Sequence, residues 1–243
     1  MKILVIGGMH GNEPLGIDIV KALEKNSLVD SIIANERAVE AKRRFIRKDL
    51  NRSFPGDARS KDYELNRANQ IIKLCSEYDI VIDFHNTHCP ENDCTFIGDT
   101  SNQNLKNVSA FFGLNRVIVA DYDCLNKYAP NCISVEVSLD SAMMNVDLWV
   151  DKITELAQAK KISSADENQI SLYEFVYRIS LGDSKRLNLK EKGLRAFQPI
   201  SREIADELGV KSPAYPIFIA DKYTPYNFGG LLTKKSMYNK ERI

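Results

Sequence analysis

The chain has 243 residues, 44% of them apolar and 27% charged, which is enough to bury a sizeable core and unlike the polar composition of a disordered chain. Thirty-three basic residues balance thirty-three acidic ones, so no overall field draws nucleic acid or an anionic membrane, and any anionic ligand must be caught by local arginines. The apolar run Ile3 to Ile6 stops at Gly7 and Gly8, too short for a signal-peptide core or a membrane span, and a cytoplasmic protein is expected.

In chain order, Lys2 to Ile6 reads as a strand, and Pro14 to Lys25 as a helix with Leu15, Ile19, Ala22 and Leu23 at helical spacing behind an initial proline. Ser31 to Ala34 is a second strand, Tyr63 to Tyr78 an amphipathic helix, and Ile80 to Phe84 a third strand. Strands near Thr95 to Ile97, Arg116 to Ala120 and Ile133 to Val137 follow, with a helix near Leu105 to Phe112 between the first two and another over Val146 to Lys161. Strands separated by helices predict an α/β fold, a mainly parallel sheet covered by helices on both faces, with its ligand beyond the carboxyl ends of the strands. The polar stretch 163–168 suggests a boundary between a catalytic domain over 1–162 and a smaller β-rich domain over 163–243, in which Leu172 to Ile179 and Tyr215 to Ile219 look like strands.

The chain has three histidines, His10, His85 and His88, all just beyond the ends of two predicted strands. In Gly7-Gly8-Met9-His10-Gly11-Asn12-Glu13-Pro14 the glycines let the backbone turn sharply where the strand stops, and His10 and Glu13 can converge on one point. Two imidazoles and one carboxylate suit a single zinc ion and leave a coordination position open. We choose His85 as the third ligand because it follows a rigid strand directly, with His88 the competitor further into the loop. Asp83, two residues earlier on the same strand face, could orient an imidazole. For a lone histidine, an incidental polar loop residue would be the better reading. The five cysteines point to reduced thiols, since Cys89 and Cys94 lack a second ligand pair of similar spacing.

A hydrolase built on such a site needs a base for the attacking water, and Glu136 is the candidate. In Ile133-Ser134-Val135-Glu136-Val137 the apolar residues share one face, so Glu136 points to the other beside Ser134. An edge-strand glutamate facing solvent is the alternative. The run Arg43-Arg44-Phe45-Ile46-Arg47-Lys48-Asp49-Leu50-Asn51-Arg52 would by itself be a solvated face, but it could also supply one guanidinium for an oxyanion and another for a carboxylate.

Four segments in this order, Gly-Gly-Met-His-Gly-Asn-Glu at 7–13, Asp-Leu-Asn-Arg at 49–52, Asp-Phe-His-Asn-Thr at 83–87 and Val-Glu-Val at 135–137, resemble the aspartoacylase and succinylglutamate desuccinylase family, relatives of the zinc carboxypeptidases. The resemblance implies a carboxypeptidase-like fold, one zinc ion held by His10, Glu13 and His85, and Glu136 as general base. It implies that Arg44 polarises the substrate carbonyl, that Asn51 and Arg52 bind an α-carboxylate, and that Tyr122 touches substrate. A further tyrosine comes from the C-terminal part, Tyr223 or Tyr226. Where aspartoacylase carries an arginine for a side-chain carboxylate, this chain has Asn126, with Lys127 next to it, which argues against an aspartate-type substrate. The expected activity is hydrolysis of a small N-acyl amino acid, with a zinc carboxypeptidase acting on peptides or a non-catalytic anion-binding protein as rivals; homo-oligomerisation stays open.

Overall fold

Alternation along the central strands sorts their side chains into two layers. In the computed structural model, which describes residues 1–159, 161–164, 170–189, 191–219 and 228–236, the elements run β1 (Ile3–Gly7), α1 (Pro14–Leu23), β2 (Asp30–Ile33), α2 (Glu36–Glu40), a short 3-10 turn (Leu50–Arg52), α3 (Tyr63–Cys75), β3 (Ile80–Thr87), β4 (Cys94–Ile97), α4 (Gln103–Phe111), β5 (Arg116–Val119), α5 (Leu125–Tyr128), β6 (Cys132–Ser138), α6 (Val146–Gln158), β7 (Ser171–Ser180), α7 (Leu181–Arg186), α8 (Arg202–Glu207), β8 (Tyr215–Ile217) and β9 (Phe228–Ser236). On one face of the sheet Ile3, Val5, Ile82, Phe84, Ile133, Val135 and Val137 pack against α1, α4 and α6. Trp149 of α6 is fully buried there, its ring edge-on to Phe84 and Phe112 at 5.0 and 5.3 Å between centroids. On the other face Leu4, Ile6, Val81 and Cys132 pack against Ala68, Ile71 and Cys75 of α3.

The described strands form one mixed sheet in the order β2-β1-β3-β6-β4-β5-β7-β9-β8. The β2, β1, β3 and β6 neighbours are parallel, β4 runs antiparallel to β6, and β7 joins β5 in parallel. The β1, β3 and β6 carboxyl ends thus lie side by side, where the fold expects a ligand. The C-terminal part adds β7, β9 and β8 to this same sheet and packs α7 and α8 around a small cluster of Ile179, Leu187, Leu189, Ile204 and Leu232. No described helix is long and apolar enough to cross a membrane.

One boundary differs from the sequence reading in a way that matters. β3 does not stop at Phe84 but continues to Thr87, so His85 lies inside the strand and pairs in register with Glu136, as Asp83 does with Ser134. Alternating apolar residues mark a strand to Phe84, whereas Asp83, His85 and Asn86 look like loop. His85 bonds to Asp83 Oδ2 and Glu13, and Asn86 to Glu13 and the Val137 carbonyl, which makes buried strand tolerable for them, while Asp83 Oδ1 stays buried without a hydrogen bond among the described residues. The first helix ends at Leu23 and the last one at Gln158, each shorter than its pattern. The short helices α2, α5, α7 and α8 and the strand β9 were not anticipated by periodicity.

Candidate metal centre and active site

The loop after β1 is shaped by glycine. Gly8 sits at φ +66°, and a Cβ on Gly11 would lie 2.1 Å from the Ala38 carbonyl, so the backbone can pass α2 this closely only without a side chain. Glu13 is extended (φ −104°, ψ 99°) ahead of Pro14, the first residue of α1, as a residue before proline prefers. His10 and Glu13 are both buried. They meet His85, which β3 presents from the neighbouring strand.

The His10 Nδ1 lies 2.7 Å from Glu13 Oε1, and His85 Nδ1 lies 3.0 Å from Glu13 Oε2. The opposite ring nitrogens are each held by another carboxylate: His10 Nε2 by Asp49 Oδ1 at 3.1 Å, and His85 Nε2 by Asp83 Oδ2 at 2.8 Å. Glu13 Oε2 also accepts the Asn86 backbone N–H, and Arg44 donates to Glu13 Oε1 at 3.1 Å and, through Nε, to Asp49 Oδ2 at 3.4 Å. One nitrogen or oxygen from each of His10, Glu13 and His85 lies within 4.8 Å of the others, the one such group of potential metal ligands among the described residues.

These residues fit a small divalent cation. Bonds of ~2.0–2.2 Å in a tetrahedral site put ligand atoms about 3.3 Å apart, and here two donor pairs stand 2.7 and 3.0 Å apart with all three donors within 4.8 Å of one another. Each imidazole turns one nitrogen to the centre and has the other backed by a carboxylate, the outer-shell arrangement that fixes a liganding histidine. Charge points the same way. Glu13, Asp49, Asp83 and Glu136 bring four carboxyl groups to a site whose fixed cations are Arg44 and Arg52, so the balance is completed either by protons on the imidazoles and carboxyls or by a metal ion.

The electrostatics of the metal-free site express this excess. Burial would raise the Glu13 carboxyl, but the charges and hydrogen bonds of His10 and His85 outweigh it and hold it well below the usual range. Burial likewise opposes ionisation of Asp49, yet His10, Arg44 and Arg52 bring it from 3.8 to about 2. Burial disfavours a charged His85, but Asp83 and Glu13 hold its imidazolium well above the ordinary histidine value. Glu136 goes the opposite way: burial, reinforced by the nearby Glu13 charge, pushes its carboxyl to about 7 against the pull of His85, His10 and Arg44.

A cavity of about 420 Å³ opens over this cluster. His10, Glu13, Arg44, Asn51, Arg52, His85, Tyr122 and Glu136 all line it, and so does His88, which does not join the three-donor group. Asn51, which lines the cavity, accepts the Leu125 N–H through Oδ1, so the group its amide has left to offer is the NH2 donor. The Arg52 guanidinium lies 4.4 Å from the centre of the Tyr122 ring, and burial pushes the Tyr122 phenol up, keeping it protonated. Tyr223 and Tyr226 lie outside the described residues. Asn126 is not on the cavity wall; its amide donates to the Phe96 and Cys132 carbonyls and accepts from Ser134 Oγ.

Sequence reasoning gave Asp49 no part, although it holds His10, Arg44 and the Asn51 N–H together. Its signal was the capping position, an aspartate directly ahead of a short helical turn. It also missed the aromatic wall of Phe96, Phe175 and Phe218, whose rings stack at 6.4 and 6.0 Å around Phe96. No local pattern marks these, since three distant parts of the chain bring them together.

The sequence model of the succinylglutamate desuccinylase/aspartoacylase catalytic domain matches residues 1–137. The chain belongs to this family. Rat aspartoacylase is 38% identical over 120 residues, which are 41% of this chain and 38% of the relative. The Xenopus laevis N-acyl-aromatic-L-amino acid amidohydrolase (carboxylate-forming) is 36% identical over 104 residues, 35% of this chain and 34% of that protein. The similarity thus spans little more than a third of these relatives. The family fold extends further: succinylglutamate desuccinylase from Chromobacterium violaceum superposes over 97% of this chain and 84% of its own with a TM-score of 0.73 at 16% identity, and murine aminoacylase 3 over 97% and 95% with 0.68 at 18%.

Proposed function

We propose that this chain is a zinc-dependent amidohydrolase that cleaves a small N-acyl amino acid into a carboxylate and a free amino acid, with His10, Glu13 and His85 holding one zinc ion. The observation that carries the reading is the convergence of these three side chains, each imidazole backed by its own aspartate, on the floor of a cavity that also contains Glu136 and Arg44. When bound, the ion would act as a Lewis acid that makes water more acidic and polarises the amide carbonyl.

The chain's own groups supply the rest. Glu136, cross-strand neighbour of His85, takes a proton from the attacking water as the new C–O bond forms and the carbonyl π pair moves to oxygen. It then delivers that proton to the amide nitrogen, which leaves as the amine when the C=O bond re-forms and the C–N bond breaks. Burial and the nearby Glu13 charge favour that proton in transit, since a carboxyl near 7 can both accept and release it at neutral pH. Arg44 donates to the oxyanion that develops on the carbonyl oxygen. The NH2 of Asn51 and the guanidinium of Arg52 bind the α-carboxylate, with Arg52 steadied on the Tyr122 ring. Tyr223 keeps the role that the resemblance implies.

One side of the cavity favours an apolar group on the substrate. Phe96, Phe175 and Phe218 form one wall of it, beside the polar Asp121 and Arg178, and Asn126 spends its amide on the interior instead of meeting a side-chain carboxylate. Of the two activities named for the relatives above, the one on N-acyl aromatic amino acids suits this wall better. The test is metal content of the purified protein together with deacylation of N-acetyl-phenylalanine, N-acetyl-tyrosine, N-acetyl-aspartate and N-succinyl-glutamate, beside a set of peptides. One zinc per chain and preference for the aromatic substrates are expected. Rapid trimming of long peptides would replace the proposal with a carboxypeptidase, and absence of both metal and turnover would leave an anion-binding protein.

A further inference from the structure

The loop that carries Arg44 is held from beneath by a carboxylate that neither the metal cluster nor the cavity uses. Glu64, in the first turn of α3, is fully buried, which for an acidic side chain demands a partner or a task. Its Oε1 accepts two consecutive backbone N–H groups, those of Ile46 and Arg47, each at 3.1 Å. Among the described residues its other oxygen, Oε2, is buried and makes no hydrogen bond. The carboxylate is therefore directed entirely at the backbone two and three residues beyond Arg44.

From Ala41 to Lys48 the chain forms neither helix nor strand, and the side chains of Ile46, Arg47 and Lys48 are exposed, so apolar burial does not fix it there. Other ties of this stretch lie at its start and at its side chains. The Ala41, Lys42 and Arg43 N–H groups bond to the Arg37, Val39 and Ala38 carbonyls, and the Gly11 N–H reaches the Arg44 carbonyl at 3.4 Å. The Arg44 guanidinium bonds to Glu13 and Asp49, and Lys48 pairs with Asp62 at the half-exposed surface. A guanidinium needs its backbone held to within a fraction of an ångström if it is to meet a developing oxyanion, since misplacement by about 1 Å can cost a hundredfold in rate. Two charge-assisted bonds from a rigid helix supply that constraint.

We infer that Glu64 is a positioning residue for Arg44: by clamping the Ile46 and Arg47 amides it fixes the Arg44 loop against α3 and so sets where the guanidinium stands over Glu13 and Asp49. The catalytic consequence rests on the deacylase reading above, but the positioning itself can be observed without turnover. The experiment compares the parent with Glu64→Ala and Glu64→Gln by nitrogen-15 NMR of the Arg44 side-chain Nε–H, by hydrogen exchange across residues 42–49, and by deacylation of N-acetyl-phenylalanine. Gln keeps a carbonyl oxygen for both amides, whereas Ala keeps none. In Glu64→Ala the protected Arg44 Nε–H signal should vanish and exchange of the 46 and 47 amides should accelerate, with kcat falling about ten- to hundredfold and zinc content unchanged. Glu64→Gln should restore all of these, and in an Arg44→Ala background Glu64→Ala should cost no further activity.

An Arg44 signal and amide protection that survive Glu64→Ala would overturn the inference, and so would a loosened loop with undiminished kcat. An equal activity loss in the Arg44→Ala background would overturn it too, because Glu64 would then act by another route. A parent that deacylates nothing, while its Arg44 signal still depends on Glu64, would remove the deacylase reading and sustain the positioning.

Discussion

Asp49→Asn removes one charge and leaves the shape of the site almost unchanged, which makes its effects calculable. Asp49 Oδ1 accepts from His10 Nε2 and from the Asn51 N–H, while Oδ2 accepts from Arg44 Nε. In an asparagine one of these positions becomes an NH2 that faces a donor, so either His10 or Arg44 loses its acceptor. If the asparagine oxygen stays with His10, Arg44 is released; if it turns to Arg44, the imidazole loses the group that fixes its Nε2–H tautomer. Losing such an outer partner weakens metal binding about ten- to hundredfold, which is about 1.4–2.7 kcal/mol. A second consequence belongs to the metal-free protein. The folded Asp49 carboxyl lies at about 2 against 3.8, and a lowered carboxylate value means stability that is present above pH 3.8 and is lost as pH falls towards 2. At pH 7 the charge thus contributes about 2 kcal/mol that asparagine cannot supply, and the difference shrinks below pH 4. Zinc competition against a chromophoric chelator reads the first effect, and urea unfolding of chelator-treated parent and variant at pH 7 and in the acid range reads the second. A zinc affinity within twofold of the parent, with equal unfolding midpoints at pH 7, would refute the assignment of Asp49 as the link between His10 and Arg44.

Glu136→Gln should keep its zinc but lose about 10²–10⁴-fold in kcat for N-acyl amino acid hydrolysis, as expected for a general base; metal analysis beside steady-state kinetics checks this, and unimpaired turnover excludes Glu136. Zinc affinity should climb with pH, because the ion must displace the proton that Asp83 and Glu13 hold on His85 well above the normal histidine value. Binding at neutral pH should therefore release about one proton or more per ion, countable by calorimetry in buffers of different ionisation enthalpy, and a pH-independent affinity would contradict it. Gly11→Ala places a Cβ 2.1 Å from the Ala38 carbonyl, so the loop must move; a loss of about 1–3 kcal/mol in unfolding free energy is expected together with weakened zinc binding, and a variant of parental stability and affinity would show that the close approach is not needed.

How far the sequence reveals this molecule depends on whether a feature is local. The central strands, α1, α3 and α6 were legible because each buries one face, and periodicity records burial. His10 and Glu13 were legible because glycines and a proline fix the loop around them, and Glu136 because a carboxylate interrupts an apolar strand. Three features were not legible. The true end of β3 was hidden because His85 and Asn86 lie in strand only through partners distant in sequence. The aromatic wall was hidden because Phe96, Phe175 and Phe218 meet only when β4, β7 and the chain after β8 come together. Glu64 looked like an ordinary charged residue in a helical first turn, and its helical position carries no sign that two distant amides lie above it.

A single change of character along one sheet face makes the rest possible. Near their amino ends β1, β3 and β6 present Leu4, Val81 and Cys132 to α3, whereas towards their carboxyl ends β3 and β6 present Asp83, His85, Ser134 and Glu136 on the same face. The parallel register makes His85 the neighbour of Glu136 and Asp83 that of Ser134, so the proposed ligand, its orienting carboxylate and the proposed base are fixed by backbone pairing and not by loops. The antiparallel β4 then sets Cys94 beside Glu136, and its buried thiol, held well above the ordinary value first by burial and then by the Glu136 charge, stays neutral and gives the carboxylate no competing anion. A polar cluster this deep would be costly in a sheet without a ligand. It is tolerable because every imidazole nitrogen has a carboxylate partner, and a divalent cation would replace the protons that those partners otherwise require. The parts of the cavity then differ in what they can vary. Residues 42–52 are tied to the ligands, since Asp49 holds His10 and Arg44 holds Glu13, whereas Tyr122 and the aromatic wall touch none of the three proposed ligands and are the part of the cavity where substrate preference can change without disturbing them.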